Sequence, residues 1–401
     1  MRVCMLTYSF YGFDARVQQY ARALVERGDE VDVIALRREG LPKYEIVEGV
    51  NVYRIQHRTR NERTQFAYLL RVFRFLLHSA FFVSKRHAAK PYQLIHVHTV
   101  PDFLVFATLV PKLLGARIIL DIHDILPEFY ASKFHADPES LLFKTLLFIE
   151  RRSVRFADYV IVANDLWCER IKVRSAQNGN CMAIRNYPDP RRFFPRPNGG
   201  GNGKCLILYP GTLNWHQGVD VAVRAFAKIK DKIPEAEFQI YGEGPARSSL
   251  ISLAAELGLD GRVIFKTFLP ASEIANVMAG ADLAVVPKRA SSPFGNEAAS
   301  TKIFEFMALG VPVVASRTRI DTHYLNDSQV KFFESDNEDD LAEAILTMAS
   351  NPELRARFAA NAGRYASSNT WANKKLEYLR LVDSLVNTGK THALGKQSRD
   401  V

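Results

Sequence analysis

The feature that most limits the fold of this chain is a pattern that runs, stops and runs again. Short apolar stretches at 3–6, 31–36, 94–97, 118–120, 160–163 and 182–184 alternate with helix-period segments at 14–27, 63–87, 101–114, 138–156 and 166–175. PRPNGGGNGK, residues 195–204, then concentrates glycine, proline and asparagine where no regular element holds. After it the alternation resumes: strands at 205–209, 236–241, 262–265, 282–286 and 311–315, helices at 218–232, 246–257, 271–279 and 300–309. Strands that alternate with helices build a parallel sheet covered on both faces. The expected fold class is therefore α/β, with two Rossmann-like domains, 1–194 and 205–370, facing across a cleft and joined by the linker 195–204. Helices near 338–350, 352–367 and 371–387 follow, and 388–401 reads as a flexible polar tail.

Size and charge narrow the partners. The chain has 401 residues, a formal charge of +10 and a pI near 9.3, which favours phosphates, anionic lipid or nucleic acid. The basic-aromatic pattern of RNA binders is absent, so no nucleic acid is expected. Cys4, Cys168, Cys181 and Cys205 have no metal-ligand spacing and read as small buried apolar residues in a reducing compartment. No uncharged apolar run reaches the ~20 residues of a membrane span, and residues 2–6 are too short for a signal. The expectation is a cytoplasmic protein, or one peripheral on the inner face of the membrane. In FAYLLRVFRFLLHSAFFV, 66–83, the residues Phe66, Leu69, Leu70, Phe73, Leu77 and Phe81 share one helical face. That stripe packs in a core or lies on anionic lipid, and basic residues flank it on both sides.

The richest chemistry sits in FGNEAASTKIFEFMALGVPVVAS, 294–316. Glu305 lies in an apolar helix, where a carboxylate is costly without a hydrogen-bonding partner. Lys302, three residues earlier, answers it, or a ligand's hydroxyls do. Ser300 or Thr301 caps the helix, whose start favours an anion. A diphosphate at the helix mouth and a sugar diol at Glu305 fit together.

Other loops follow strands, where open parallel sheets bind ligands. In DIHDILPE, 121–128, His123 is bonded to Asp121 or Asp124, or it meets a substrate, with Asp124 and Glu128 on the acceptor side. In YSFYGFDARV, Gly12 permits close approach to a ligand. In YPGTLNWHQG, the amides of Gly211, Thr212 and Gly218 can touch phosphate, unless the loop merely joins strand to helix. GEGPAR, from Gly242, is a tight turn near a nucleotide rather than a dinucleotide fingerprint. Lys288 and Arg289 form either a solvated basic loop or a phosphate counter-charge. No DxD-type metal site, Ser-His-Asp set, H-E-x-x-H or P-loop is present, so neither metal nor cofactor is expected.

With Glu297 and Glu305 placed and seven residues between them, the chain resembles retaining glycosyltransferases of family 4, which have the two-domain GT-B fold, over about residues 2–387. The resemblance implies that Glu297 contacts the transferred sugar and Glu305 the nucleotide ribose. LDIHD is similar to the family's histidine motif, which gives His123 a donor-sugar contact. VIFKTFLP is similar to the segment that meets the base near Phe268 and Leu269, YGEGP to the nucleotide-side turn, and 371–387 to the helix crossing back to the N-terminal domain. The family's G-R-L-x-x-x-K-G is GTLNWHQG here: Thr212 stands for the arginine and Gln217 for the lysine that grip the diphosphate. Lys288, Arg289 and Lys302 are expected to take over. The implied activity is metal-independent, retaining transfer from a nucleotide-diphosphate sugar to a saccharide or polyprenyl-diphosphate-linked acceptor, in surface polysaccharide or glycolipid synthesis. Alternatives are a nucleotide-sugar 2-epimerase of the same architecture or a non-catalytic basic protein binding anionic membrane.

Overall fold

The computed structural model describes residues 1–58, 65–134, 137, 139–176, 179–196, 205–291 and 293–397. Most of the expected linker, 197–204, lies outside them, as do 398–401. The chain divides into two compact units, Met1–Asn186 with Ala372–Val401, and Tyr187–Trp371.

The first unit runs β1 (Arg2–Thr7), α1 (Ala15–Glu26), β2 (Glu30–Arg37), β3 (Tyr44–Val47), β4 (Val50–His57), α2 (Gln65–Ala89), β5 (Leu94–His98), a 3-10 turn (Asp102–Thr108), α3 (Leu109–Leu113), β6 (Arg117–Ile122), α4 (Leu126–Phe134), α5 (Leu141–Phe156), β7 (Tyr159–Val162), α6 (Asp165–Arg174) and β8 (Cys181–Ala183). Its sheet has the order β3-β4-β2-β1-β5-β6-β7-β8. Every pairing is parallel except the β3–β4 hairpin. β1 and β5 are buried along their whole length, as strands covered on both faces must be. Cys168 and Cys181 lie buried with their Sγ atoms 3.1 Å apart.

The second unit runs β9 (Cys205–Pro210), α7 (Val219–Ile229), β10 (Ala236–Tyr241), α8 (Arg247–Glu256), β11 (Val263–Lys266), α9 (Ala271–Ala279), β12 (Leu283–Val286), α10 (Pro293–Glu297), α11 (Thr301–Leu309), β13 (Val313–Ser316), α12 (Arg319–Tyr324), β14 (Lys331–Phe333), α13 (Glu338–Ala349) and α14 (Pro352–Ser368). Its sheet, β11-β10-β9-β12-β13-β14, is wholly parallel. Local signals set the helix ends. Asn337 caps α13, Asn351 caps α14 ahead of Pro352, and Gly310, at φ 79°, stops α11. Fully buried Phe226 and Phe238 meet between α7 and β10, each worth about 1.5–3 kcal/mol of burial.

The last helix, α15 (Trp371–Gln397), belongs almost entirely to the first unit and continues past residue 387, where the sequence reading ended it. No proline stops it there. Tyr378 on α15 is fully buried, with its hydroxyl 3.1 Å from His96 Nδ1.

The stripe on α2 faces outward. Val72, Phe75, Ser79 and Val83 are buried, whereas Leu69, Leu70, Phe73, Leu77 and Phe81 are more than half exposed. The side chain of Phe66 is outside the described residues.

Candidate functional site

In each sheet the chain reverses its direction of spread once, between β1 and β5 and between β9 and β12. The carboxyl ends beside such a reversal are where open sheets hold ligands.

In the second unit, β9 ends at Pro210, and Gly211 follows at φ 149°. A Cβ there would stand 2.2 Å from Cε of Lys302, so only glycine lets the lysine stem cross this turn. Gly218, at φ 64°, opens α7, and a Cβ on it would lie 1.9 Å from the Pro287 carbonyl oxygen. The turns after β9 and β12 are thereby pressed together. The backbone of Gly242, after β10, lies against Gly211 and donates to the Lys266 carbonyl at 3.2 Å.

Lys302 crosses from α11 into this floor. Its Nζ donates to Gln217 Oε1 at 3.2 Å and sits 5.6 Å from the centre of the Tyr209 ring. The Tyr209 hydroxyl lies 3.2 Å from the same Gln217 oxygen and 3.0 Å from the Thr212 carbonyl. The ammonium thus comes to the residue that stands where the family has its lysine. Lys302 keeps some contact with solvent, yet the protein crowded around its head pushes its pKa down to about 8, with Glu305 opposing and Lys288 adding to the shift. Burial likewise lowers His216, and Lys302 and Lys288 lower it further. These three groups share one positive neighbourhood, in which His216 escaped the sequence reading.

Glu305 is pushed the other way. Burial raises its carboxyl to about 7 against the pull of Lys302. No hydrogen bond or ion pair within 4 Å joins it to Lys302 or to any other described residue. The expected Lys302–Glu305 salt bridge is therefore replaced by Lys302–Gln217. Ser300 occupies the N-cap position of α11, but its hydroxyl makes no capping bond. The expected cap is not made, and Thr301 is exposed at the first turn. Amides at that mouth can receive an anion.

The other two expected counter-charges are engaged. Lys288 is buried, donating to the Ala298 carbonyl at 2.6 Å and pairing with Asp321 at 3.2 Å. It braces the loop between the two glutamates. Arg289 grips Asp220 through both terminal nitrogens at 2.9 and 2.8 Å, Asp336 at 2.7 Å and the Trp215 carbonyl at 2.6 Å. Through these contacts Arg289 ties the turns after β9 and β12 to the loop at Asp336. Glu297 is buried at the end of α10 and takes a 2.8 Å bond from Arg319, whose side chain is mostly exposed. Phe268 is exposed and Leu269 half-buried in the loop after β11.

In the first unit, His123 follows β6, with Nε2 3.2 Å from Asp121 Oδ2 and 3.4 Å from His98 Nδ1. Of its two expected aspartate partners, Asp121 is the one it meets. Asp121 is fully buried and clamped by Arg16 at 2.8 and 2.6 Å, with His98 donating at 3.0 Å. Burial works to raise its pKa, but Arg16 and then His123 hold it well below the usual carboxylate range. The remaining Arg16 nitrogen donates to the Ile184 carbonyl and Asn186 Oδ1, at 2.7 and 3.0 Å. Ligand atoms of His96, His98 and Asp121 lie within 4.8 Å of one another. The guanidinium across both Asp121 oxygens neutralises the carboxylate a cation would need. Asp124 is half-buried, its pKa raised by burial.

Glu128, expected on the acceptor side, has partners inside the protein. It is buried and bound by Arg174 at 3.0 Å, and again by a shorter contact, with Arg170 at 3.1 Å. Arg174 also binds buried Glu150. Glu128 belongs to an internal ion-pair network because α4, α5 and α6 bring their charges together away from water. Gly12 is exposed in the short turn after β1, and a side chain there would meet open space.

Residues 12–186 match the family model for a glycosyl transferase 4-like domain, and 191–365 the model for glycosyl transferases group 1. An uncharacterised glycosyltransferase of Methanocaldococcus jannaschii is 25% identical over 339 residues, 79% of this chain and 80% of the relative. D-inositol 3-phosphate glycosyltransferase of Acidothermus cellulolyticus is 25% identical over 390 residues, 90% of this chain and 83% of the relative. Among solved structures, sucrose-phosphate synthase of Thermosynechococcus elongatus superposes with a TM-score of 0.78 at 19% identity, covering 97% of this chain and 100% of that one. HepE of Anabaena in complex with UDP gives 0.69 at 19% identity, covering 96% and 100%. The two models in succession and the two parallel-sheet units agree: the chain belongs to the family 4 glycosyltransferases of GT-B fold, which take a nucleotide-sugar donor.

Proposed function

We propose that this glycosyltransferase moves a sugar from a nucleotide-diphosphate sugar to a saccharide or lipid-linked saccharide, with retained anomeric configuration and without a metal ion. It would work in surface polysaccharide or glycolipid synthesis, in the cytoplasm or on the inner face of the membrane. The observation that carries the reading is the Lys302 ammonium at Gln217, above Gly211 and beside the mouth of α11. A fixed cation and free helix amides stabilise a departing diphosphate, the task a metal ion would otherwise share. Glu305 accepts the ribose hydroxyls, and Glu297 orients the transferred sugar. His123, steered by Asp121, keeps the donor-sugar contact. In the step itself the bond from the anomeric carbon to the β-phosphate oxygen breaks. The acceptor oxygen bonds to the same face of that carbon, and its proton passes to the leaving phosphate.

Substrate loss can be followed before the acceptor is known, because slow hydrolysis of the donor reports on the same leaving group. UDP-, GDP-, ADP- and dTDP-sugars are incubated in EDTA, and the first-formed anomer is read by NMR. Turnover in EDTA with retention is expected. Inversion, or turnover restored only by a divalent cation, would contradict the reading. Conversion of donor to its 2-epimer would instead reveal the epimerase.

Glu297→Gln should lower turnover by about a hundredfold or more, since a group acting on the reacting sugar is felt in the transition state. Donor affinity should change only a few-fold. Turnover like that of the wild type would remove Glu297 from the chemistry.

Donor affinity should peak between about pH 7 and about pH 8. Below it Glu305 takes a proton and accepts hydroxyls less well; above it Lys302 loses the charge that meets the diphosphate. Nucleotide titrations across pH should show both limbs, and Lys302→Met should erase the alkaline one.

A further inference from the structure

One face of the first unit combines exposed apolar side chains with charge that is mostly positive. On α2, Leu70, Phe73, Leu77 and Phe81 are between 52% and 72% exposed. α2 packs against α3 and the turn before it, where Leu113 and Leu114 are exposed too. α5 packs on the same turn through Phe106 and Phe156, whose rings are 5.2 Å apart, and it exposes Leu141 and Phe148. Every formal charge from Gln65 to Lys90 is positive: Arg71, Arg74, Lys85, Arg86 and Lys90. On α5 the exposed charges are Lys144, which pairs with exposed Glu139 just before the helix, and Arg151, Arg152 and Arg155, while Glu150 is buried against Arg174.

Contiguous apolar surface rimmed by cations marks an interaction site. We infer that α2, α3 and α5 form a face that lies on an anionic lipid bilayer. Charge decides between occupants. Two copies meeting through this face would bring cations against cations, whereas an anionic surface complements them. By length and composition Ala67–Ala89 could cross a membrane. Its attachments argue for lying on one instead. Arg86 pairs with buried Asp32, the Tyr92 amide donates to His87 Nδ1, and Gln56 donates to the Arg71 carbonyl. The first and last tie the helix to β2 and β4, and the second ties it to the turn before β5. Phe81 and His78 also line a groove of about 480 Å³ with Arg37, Lys43 and Tyr44, which seats a lipid phosphate beside the apolar stripe.

The inference deepens the lipid-linked acceptor proposed above. Binding is measured without donor or acceptor, so the two can fail separately. The full chain is sedimented with vesicles of phosphatidylglycerol and phosphatidylcholine, and with phosphatidylcholine alone. Binding to the anionic vesicles that weakens with salt is expected. Phe73→Ser with Phe81→Ser, and separately Arg151→Glu with Arg152→Glu, should each lower it by about tenfold or more. All four residues are exposed, and unchanged melting temperatures would show that both variants fold. The inference is overturned if the wild type stays in solution, if neutral and anionic vesicles bind it alike, or if both variants bind as it does. A wild-type dimer that Phe73→Ser with Phe81→Ser splits into monomers would assign the face to a second copy and overturn it too.

Discussion

Methionine in place of Lys302 should weaken nucleoside-diphosphate binding by roughly a hundredfold while making the ligand-free protein more stable. Hydrogen bonds to a charged group contribute about 1.5–3 kcal/mol, and each 1.4 kcal/mol is about tenfold in affinity. The opposite effect on stability follows from the sign of the shift. The folded pKa of about 8 lies below the ordinary 10.5, so the unfolded chain binds more protons between those values. Lys302 therefore destabilises the fold most below pH 8, and the penalty lifts as pH rises toward 10.5. Methionine fills the same space without the charge and should add about 1–2 kcal/mol at neutral pH, once the remaining solvent contact is allowed for. Glu305 runs the other way: its folded pKa of about 7 exceeds 4.5, so its contribution falls as pH climbs between them. Thermal melts of wild type and Lys302→Met across pH should converge above about pH 10. Weaker binding with unchanged or lower stability would mean that the lysine is structural.

Asp121→Asn should be the most damaging single change in the first unit. The substitution keeps the shape but strands the Arg16 guanidinium, which is buried against both Asp121 oxygens. Breaking a buried pair from one side costs about 3–5 kcal/mol, most of it from the unpaired charge. Adding Arg16→Met to Asp121→Asn should recover part of that loss, because no charge then remains buried. Urea unfolding of the two singles and the double measures the coupling. Additive losses would mean that the pair is not the unit described here. His123 should also lose its orienting acceptor, so any folded Asp121→Asn should turn over donor more slowly than its donor affinity implies.

The alternating core was legible because strands covered on both faces leave continuous apolar runs, as in Val31 to Leu36 and Leu283 to Val286. The β3–β4 hairpin was missed although β4 alternates in and out of the core; its partner β3 is four residues long and never fully buried. The stripe on α2 was visible, but periodicity alone does not say which way a stripe points; Phe75 and Val83 on the opposite side claimed the core. Site residues divided along the same line. Glu297, Glu305 and His123 sit in local motifs. The Lys302–Gln217 bond joins residues 85 apart and Arg16–Asp121 residues 105 apart, and no local spacing signals such contacts. The protein partners of Glu128 and Arg289 were hidden for a related reason. A charge in a loop or at a helix start reads alike whether a ligand answers it or, as here, Arg174 and Asp220 do.

The central claim, that Lys302 meets the donor diphosphate, has a direct thermodynamic signature. With its pKa pushed down to about 8, its ammonium in the free protein loses charge near that pH, and a bound diphosphate should restore the missing charge. Calorimetric titration with UDP or GDP at about pH 8, repeated in EDTA and in buffers of different ionisation enthalpy, should show net proton uptake on binding. Lys302→Met should bind more weakly with no uptake. A wild type that binds with no proton linkage, or a Lys302→Met variant that binds as tightly as the wild type, would contradict the account.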